Sequence, residues 1–283
     1  MNHCLARTNP LAPNDVRRSG ADRSRTNKLR TTRRVLWALA VLILTVPLAS
    51  DGANSDADPN VLWAMVNQCV TDERDHHDPT PCVEVELNSG YSVLKDSDGA
   101  TQFLAIADTR ITGIESPQLL RPGTPNYFAD AWQARSWVER TVGRSLPRDW
   151  ISLAINSVQG RTQNQLHIHI DCVRADVRQI LIDRAADISS VWAPLPMPLA
   201  GHTYSAVRVV SENLDLVNPF KVLADGLAGA RADMGSQTLA VVGTFFDKRP
   251  EFVLLADHAD AATGDTGSSE ELQDHTSCPP TSP

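Results

Sequence analysis

Beyond its first 34 residues the chain is short of positive charge. Those 34 hold nine Lys and Arg against two Asp, a balance of +7, which leaves −15 for the rest of a 283-residue chain whose total is −8. So acidic a body is no surface for a nucleic-acid backbone, and any phosphate it binds must meet local donors rather than a broad basic field. Internal repeats at a solenoid period are missing too, which excludes a repeat architecture. No Cys-x-x-Cys pair accompanies Cys69 and Cys82. A Cys/His metal knuckle recruiting His76 or His77 therefore lacks its usual ligands, and a local Cys69–Cys82 disulfide is the simplest reading in an exported domain. Long apolar runs are scarce, and only residues 35–49 form one of this length.

That run follows Arg33-Arg34 and precedes Ser50-Asp51-Gly52. A one-sided basic flank marks an export signal rather than a buried core helix, and residues 32–36 loosely fit a twin-arginine signal. The run is short for a span, which favours cleavage near Ala49 or Ser50; retained, it would serve as a tilted or slightly extended anchor. Either way the basic side stays in the cytoplasm and the remainder crosses. The chain then divides into a disordered basic leader (1–34), a membrane anchor or signal segment (35–50), a linker (51–60), one domain (61–257) and a mostly disordered tail tied near Cys278 (258–283). At 42% hydrophobic and 21% charged the composition is globular. Cys4 lies in the leader and stays free. Parity pairs Cys172 with Cys278, the alternative being a buried free thiol at Cys172.

The stretch with most chemical content is Asn-Gln-Leu-His-Ile-His-Ile-Asp-Cys at 164–172. Its alternation is that of a strand, with Leu166, Ile168 and Ile170 on one face and Gln165, His167, His169 and Asp171 on the other. The two imidazoles then lie about 7 Å apart along an extended strand. Just upstream, residues 156–163 form a loop rich in donors with one glycine, which points to an anion and most simply a phosphate. Three readings compete: ordinary histidines of an edge strand; a metal pair completed by His202, Asp171 or Cys172; and nucleophilic attack at phosphorus by one imidazole while neighbours hold the oxygens. The donor loop favours the third, since a metal site has no need of it.

Elsewhere, periodicity predicts a short helix over 61–70, then a Cys69–Cys82 loop over 71–81. Strands follow at 91–95 and 102–107 around an Asp98-Gly99 turn. A helix over 126–142 is capped by Thr124, with Pro125 in its first turn, and stopped by Gly143. Further strands are expected at 150–155, 204–210, 239–246 and 251–255, and helices at 175–186 and within 218–234. The interleaving implies an α+β domain with a mainly antiparallel sheet flanked by helices.

Ile155-Asn156-Ser157 together with residues 160–170 resembles the histidine-triad signature, His-φ-His-φ-His-φ-φ, and more closely the bacterial CDP-diacylglycerol pyrophosphatases. Residues 90–96, 110–117, 131–135, 152–157, 192–196, 201–204 and 273–275 are similar to that family in the same order, within 63–278. The resemblance implies a membrane-attached histidine-triad-like enzyme with its catalytic domain outside the cytoplasm. It would hydrolyse the liponucleotide CDP-diacylglycerol to CMP and phosphatidate, with no metal or other cofactor. By alignment His167 is the nucleophile that forms a covalent nucleotidyl intermediate, His169 holds a phosphate oxygen or orients the ring, and Gln165 stands at the first triad position, where it cannot carry a proton. Asn156 and Gln163 look like phosphate or ribose contacts, Arg161 would neutralise the pyrophosphate, and Arg110, Lys95 and His202 are further candidates. The alternatives are a broader exported nucleotide pyrophosphatase or nucleotidyl transferase, and a membrane-tethered domain that binds nucleotide without turnover. Oligomeric state is not legible.

Overall fold

The computed structural model describes residues 58–276 and Cys278. The expectations for the leader, for Cys4, for the apolar run and for the linker up to residue 57 lie outside the described residues. In chain order the elements are α1 (Val61–His76), β1 (Glu84–Glu86), β2 (Tyr91–Lys95), β3 (Phe103–Ala107), α2 (Tyr127–Ala134), α3 (Ser136–Val142), β4 (Ile151–Ile155), β5 (His167–Val173), α4 (Ala175–Asp183), β6 (Ala193–Pro194), β7 (Ser205–Val209), α5 (Pro219–Gly226), β8 (Gln237–Phe246), β9 (Arg249–His258) and β10 (Gln273–Asp274). The strands form one sheet in the order β1-β2-β3-β5-β4-β8-β9-β7-β6, and every pairing in it is antiparallel. The expected α+β class is what is observed.

The alternation in β5 decides where the site lies. Ile168 and Ile170 point into a large core shared with Val93, Phe103, Leu153 and Val241, which α2, α3 and α5 cover through Phe128, Ala131, Val138, Phe220 and Leu223. The opposite face is covered in two separate pieces. On β2 and β3, Leu94, Leu104 and Ile106 pack under Leu62 and Val66 of α1. Towards β8 and β9, Ala240, Val242, Val253 and Leu255 pack under Val177 and Leu181 of α4. Between these two caps lies the histidine face of β5. His167 stands opposite Ile106, and His169 stands between Leu104 of β3 and Ala154 of β4. Ala154, beside His169, is fully buried.

Both expected disulfides are present, Cys69–Cys82 and Cys172–Cys278. The first joins α1 to the start of the β1 region. The second ties the end of the described chain to β5, deep in the large core.

Several boundaries differ from expectation. α1 runs through His76 and ends on His77 in the left-handed conformation, so the loop foreseen over 71–81 is mostly helix. The helix foreseen over 126–142 is two helices meeting at Arg135; Asn126 takes the N-cap position but its amide donates to the Leu214 and Val217 carbonyls, and Thr124 bonds the Gln118 carbonyl. At the junction the Arg135 guanidinium donates to the Trp132 carbonyl and lies 4.5 Å from that ring. β8 and β9 each reach ten residues because Asp247 and Lys248, both with positive φ, close a tight two-residue hairpin. The largest correction concerns the tail. Ser269–Leu272 is a 3-10 turn, with Ser269 and Leu272 fully buried. β10 then adds to β5 through Gln273 opposite Val173 and Asp274 opposite Cys172. The domain therefore does not end at residue 257. A Gly-, Ser- and Asp-rich composition concealed a segment held by sheet pairing and a disulfide.

Candidate active site

The gap over β5 opens into a cavity of about 690 Å³, with His167 and His169 at its floor. One wall is apolar: Val61, Leu62 and Met65 of α1, with Pro81, Leu94 and Leu104. The rim is polar and includes Lys95, Asp96, Asp98, Glu270 and His275.

His167 is set up by its own strand. Its Nδ1 lies 2.6 Å from the Gln165 carbonyl. A carbonyl only accepts, so Nδ1 carries the hydrogen and the lone pair is on Nε2. Nε2 makes no hydrogen bond among the described residues. Burial pushes the ring down from 6.5 to about 4, and neighbouring His169 pushes it the same way. The two rings stand edge to face with centroids 5.0 Å apart. Near neutral pH, then, His167 is an uncharged imidazole with a free lone pair in a cavity.

His169 is held from both sides. Gln102 Nε2 lies 2.8 Å from its Nδ1 and donates to it, which places the ring hydrogen on Nε2. That Nε2 is 3.0 Å from Glu270 Oε2. The contact is close but poorly aligned for a hydrogen bond, and Nε2 otherwise has no partner. Burial alone would raise Glu270; the imidazole of His169 and, behind it, His275 outweigh burial and bring the carboxyl down to about 2. His275 in turn lies 3.3 Å from Asp171, a fully buried carboxylate that also accepts from Thr101 and from the Cys172 amide. The Asp171 contact raises the pKa of His275 and favours its cationic form.

The remaining sequence-stated candidates divide. Lys95 is in place: it lines the cavity, its Nζ donates to the Asp96 and Gly99 carbonyls, and it stands over Phe103. Gln163 reaches the cavity edge, but its amide is spent on the Leu62 amide and the Asp58 carbonyl, so it seats the start of α1. Asn156 receives Ser268 and the Glu270 amide, both at 3.4 Å, and positions the segment that carries Glu270. The other four stand apart from the main cavity. Gln165 precedes the strand, and its amide donates to the Ala107 and Thr109 carbonyls, which fastens it to the end of β3. Arg161 makes a two-pronged pair with Glu115, and both Gln165 and Arg161 line a small cleft beside His167. Arg110 joins Asn60 and stacks over Trp63, outside the cavity. His202 stands beside Asp265 and does not line the cavity.

In the donor loop, the amides of residues 157–161 are taken up within the protein. The amides of Ser157, Val158 and Arg161 go to the Gly267, Gly235 and Ser157 carbonyls, and those of Gln159 and Gly160 go to Ser157 Oγ. Gly160 is required because the loop lies against the tail; a Cβ there would come within 2.7 Å of the Gly267 carbonyl. The cationic and N–H groups facing an anion in the cavity are instead Lys95, His169 and His275. Glu270 and Gln102 went unread because nothing local in their sequence marks them. Only the fold brings them to His169.

Comparison with known proteins places the chain in a family. The family model described as CDP-diacylglycerol pyrophosphatase matches residues 57–281. A CDP-diacylglycerol pyrophosphatase of Yersinia pestis is 44% identical over 249 residues, covering 88% of this chain and 95% of the relative. The match spans α1, the histidine strand and the tail that carries Glu270, so the chain belongs to the CDP-diacylglycerol pyrophosphatase family.

Proposed function

We propose that the chain hydrolyses the pyrophosphate bond of CDP-diacylglycerol to CMP and phosphatidate through a covalent nucleotidyl adduct on His167 Nε2. The single observation that carries the adduct is the Nδ1 contact to the Gln165 carbonyl, which leaves Nε2 unprotonated in the cavity. The ring's lone pair attacks the cytidine-side phosphorus and a P–N bond forms. The bond to the bridging oxygen breaks, and phosphatidate leaves with that electron pair. A phosphomonoester is a stable anion, so this departure requires no strong acid. Water then adds to phosphorus, the P–N pair returns to the ring, CMP leaves, and the water's proton is released.

The groups around His167 suit that course. Lys95 and His275 offset pyrophosphate charge. The imperfect alignment between His169 Nε2 and Glu270 leaves that N–H open to a phosphate oxygen. His169 and His275 favour the ionised form of Glu270, which stands 3.0 Å from His169 Nε2 and acts on that imidazole through its charge. The apolar wall of α1 accommodates parts of the substrate other than phosphate. The central antiparallel sheet with its histidine strand is read as a histidine-triad-like fold. Residues 35–50 are read as the anchor or signal that puts the domain on the extracytoplasmic side of a bacterial inner membrane.

The test uses CDP-diacylglycerol labelled at the cytidine-side phosphate. Rapid quenching should trap acid-labile phosphohistidine on the wild type and none on His167→Ala, which should retain its circular dichroism while hydrolysis falls by more than about a thousandfold. Activity within tenfold of wild type in that variant would remove His167 from the nucleophile's role.

A further inference from the structure

A second cluster of ionisable groups stands away from the reaction cavity and has no part in the chemistry above. His202 follows a tight turn in which Ala200 and Gly201 both have positive φ. Asp257 is near the end of β9, and Asp265 closes a small loop through paired backbone bonds with Asp260. Ligand atoms of His202, Asp257 and Asp265 all lie within 4.8 Å of one another. Glu271 comes from the opposite side, its Oε2 3.6 Å from His202 Nε2 while Tyr204 donates to its Oε1. Three carboxylates thus converge on one imidazole.

The charge balance of this cluster is poor without a further cation. His202 Nδ1 is already committed to Asp265 at 2.5 Å. Asp257 is only 8% exposed, and its Oδ2 has no hydrogen-bond partner. A buried carboxylate oxygen with no donor, facing a second carboxylate, is costly.

We infer that His202, Asp257 and Asp265 form a site for one divalent cation of the zinc or manganese class. One imidazole and two carboxylates are a mixed nitrogen and oxygen set, which suits those ions better than magnesium or calcium. The site has a structural consequence. Asp265 accepts the Gly267 amide, and the Thr266 and Gly267 carbonyls hold Ser157. Five residues beyond Asp265 is Glu270, which meets His169. An ion here fixes the tail to β9 and so fixes Glu270. Its effect on turnover rests on the function proposed above; its binding does not.

The experiment is calorimetric titration of the chelator-stripped full chain with Zn²⁺ and with Mn²⁺, accompanied by thermal denaturation. The wild type should take up one equivalent that is lost, or weakened at least about tenfold, in Asp257→Asn and in His202→Ala. His167→Ala should keep that equivalent. Without metal, Asp257→Asn should melt at or above the wild-type temperature, because it removes a repelling charge while keeping the shape; with metal the order should reverse. Equal binding by wild type and Asp257→Asn overturns the proposal. So does loss of the equivalent in His167→Ala, which would put the ion in the reaction cavity, and so does an absence of saturable binding to the wild type.

Discussion

His167 and His275 answer acid in opposite senses. Burial, with His169 adding to it, holds the folded His167 near 4, whereas an unfolded histidine takes its proton near 6.5. Between those values the unfolded chain binds more protons, so this residue makes the fold lose stability as pH falls, by about 3 kcal/mol in total at 1.36 kcal/mol per unit. His275 is raised by Asp171, so its contribution is present below the unfolded value and is lost as pH rises through the folded one. The reaction should follow His167. The acid limb of kcat/KM is expected near pH 4, because only then does Nε2 become protonated; a pH–rate profile with its limb near 6.5 would exclude the buried ring as nucleophile. The histidine pair was legible in the sequence because strand alternation alone puts both rings on one face. Gln165 lies just before β5, and its amide donates to the Ala107 carbonyl, a contact that strand alternation alone does not give.

At the scale of elements, β5 is held along both edges. β3 pairs with its first half on one side, β4 takes the other side, and β10 continues the first edge where β3 stops. β10 is only two residues long, and the Cys172–Cys278 bond secures what so few hydrogen bonds cannot. That bond closes a loop over a sequence separation of 106 residues. Cys278→Ser should therefore lower stability in urea by about 2–5 kcal/mol. Turnover should drop as well, since Glu270 loses its register against His169, while the far-ultraviolet spectrum stays close to wild type. Unchanged kcat with lowered stability would show that the tail stabilises the sheet without serving the site. Helix and strand identities were readable from periodicity; element ends were not. The tail depends on partners about a hundred residues away, which is not a feature of local pattern.

For the molecule as a whole, charge and apolar placement pull apart. Residues after 34 sum to −15, so the domain is repelled by an anionic phospholipid surface, yet the proposed substrate is itself a lipid. On the reading proposed above, proximity comes from the +7 leader and the apolar run that follows it. Deleting residues 1–50 should cut hydrolysis of CDP-diacylglycerol in anionic vesicles at least about tenfold, and should leave hydrolysis of detergent-dispersed substrate within about twofold. Equal loss in both assays would assign those residues to folding instead of delivery.

The position of Glu270 after every large element of the domain also sets when the catalyst comes into being. A growing polypeptide can lay down β5, with both imidazoles side by side, long before the carboxylate that steadies one of them has left the ribosome. On the function proposed above, the reaction centre is completed only when the stretch around residues 269–278 docks beside β5 and Cys278 closes onto Cys172.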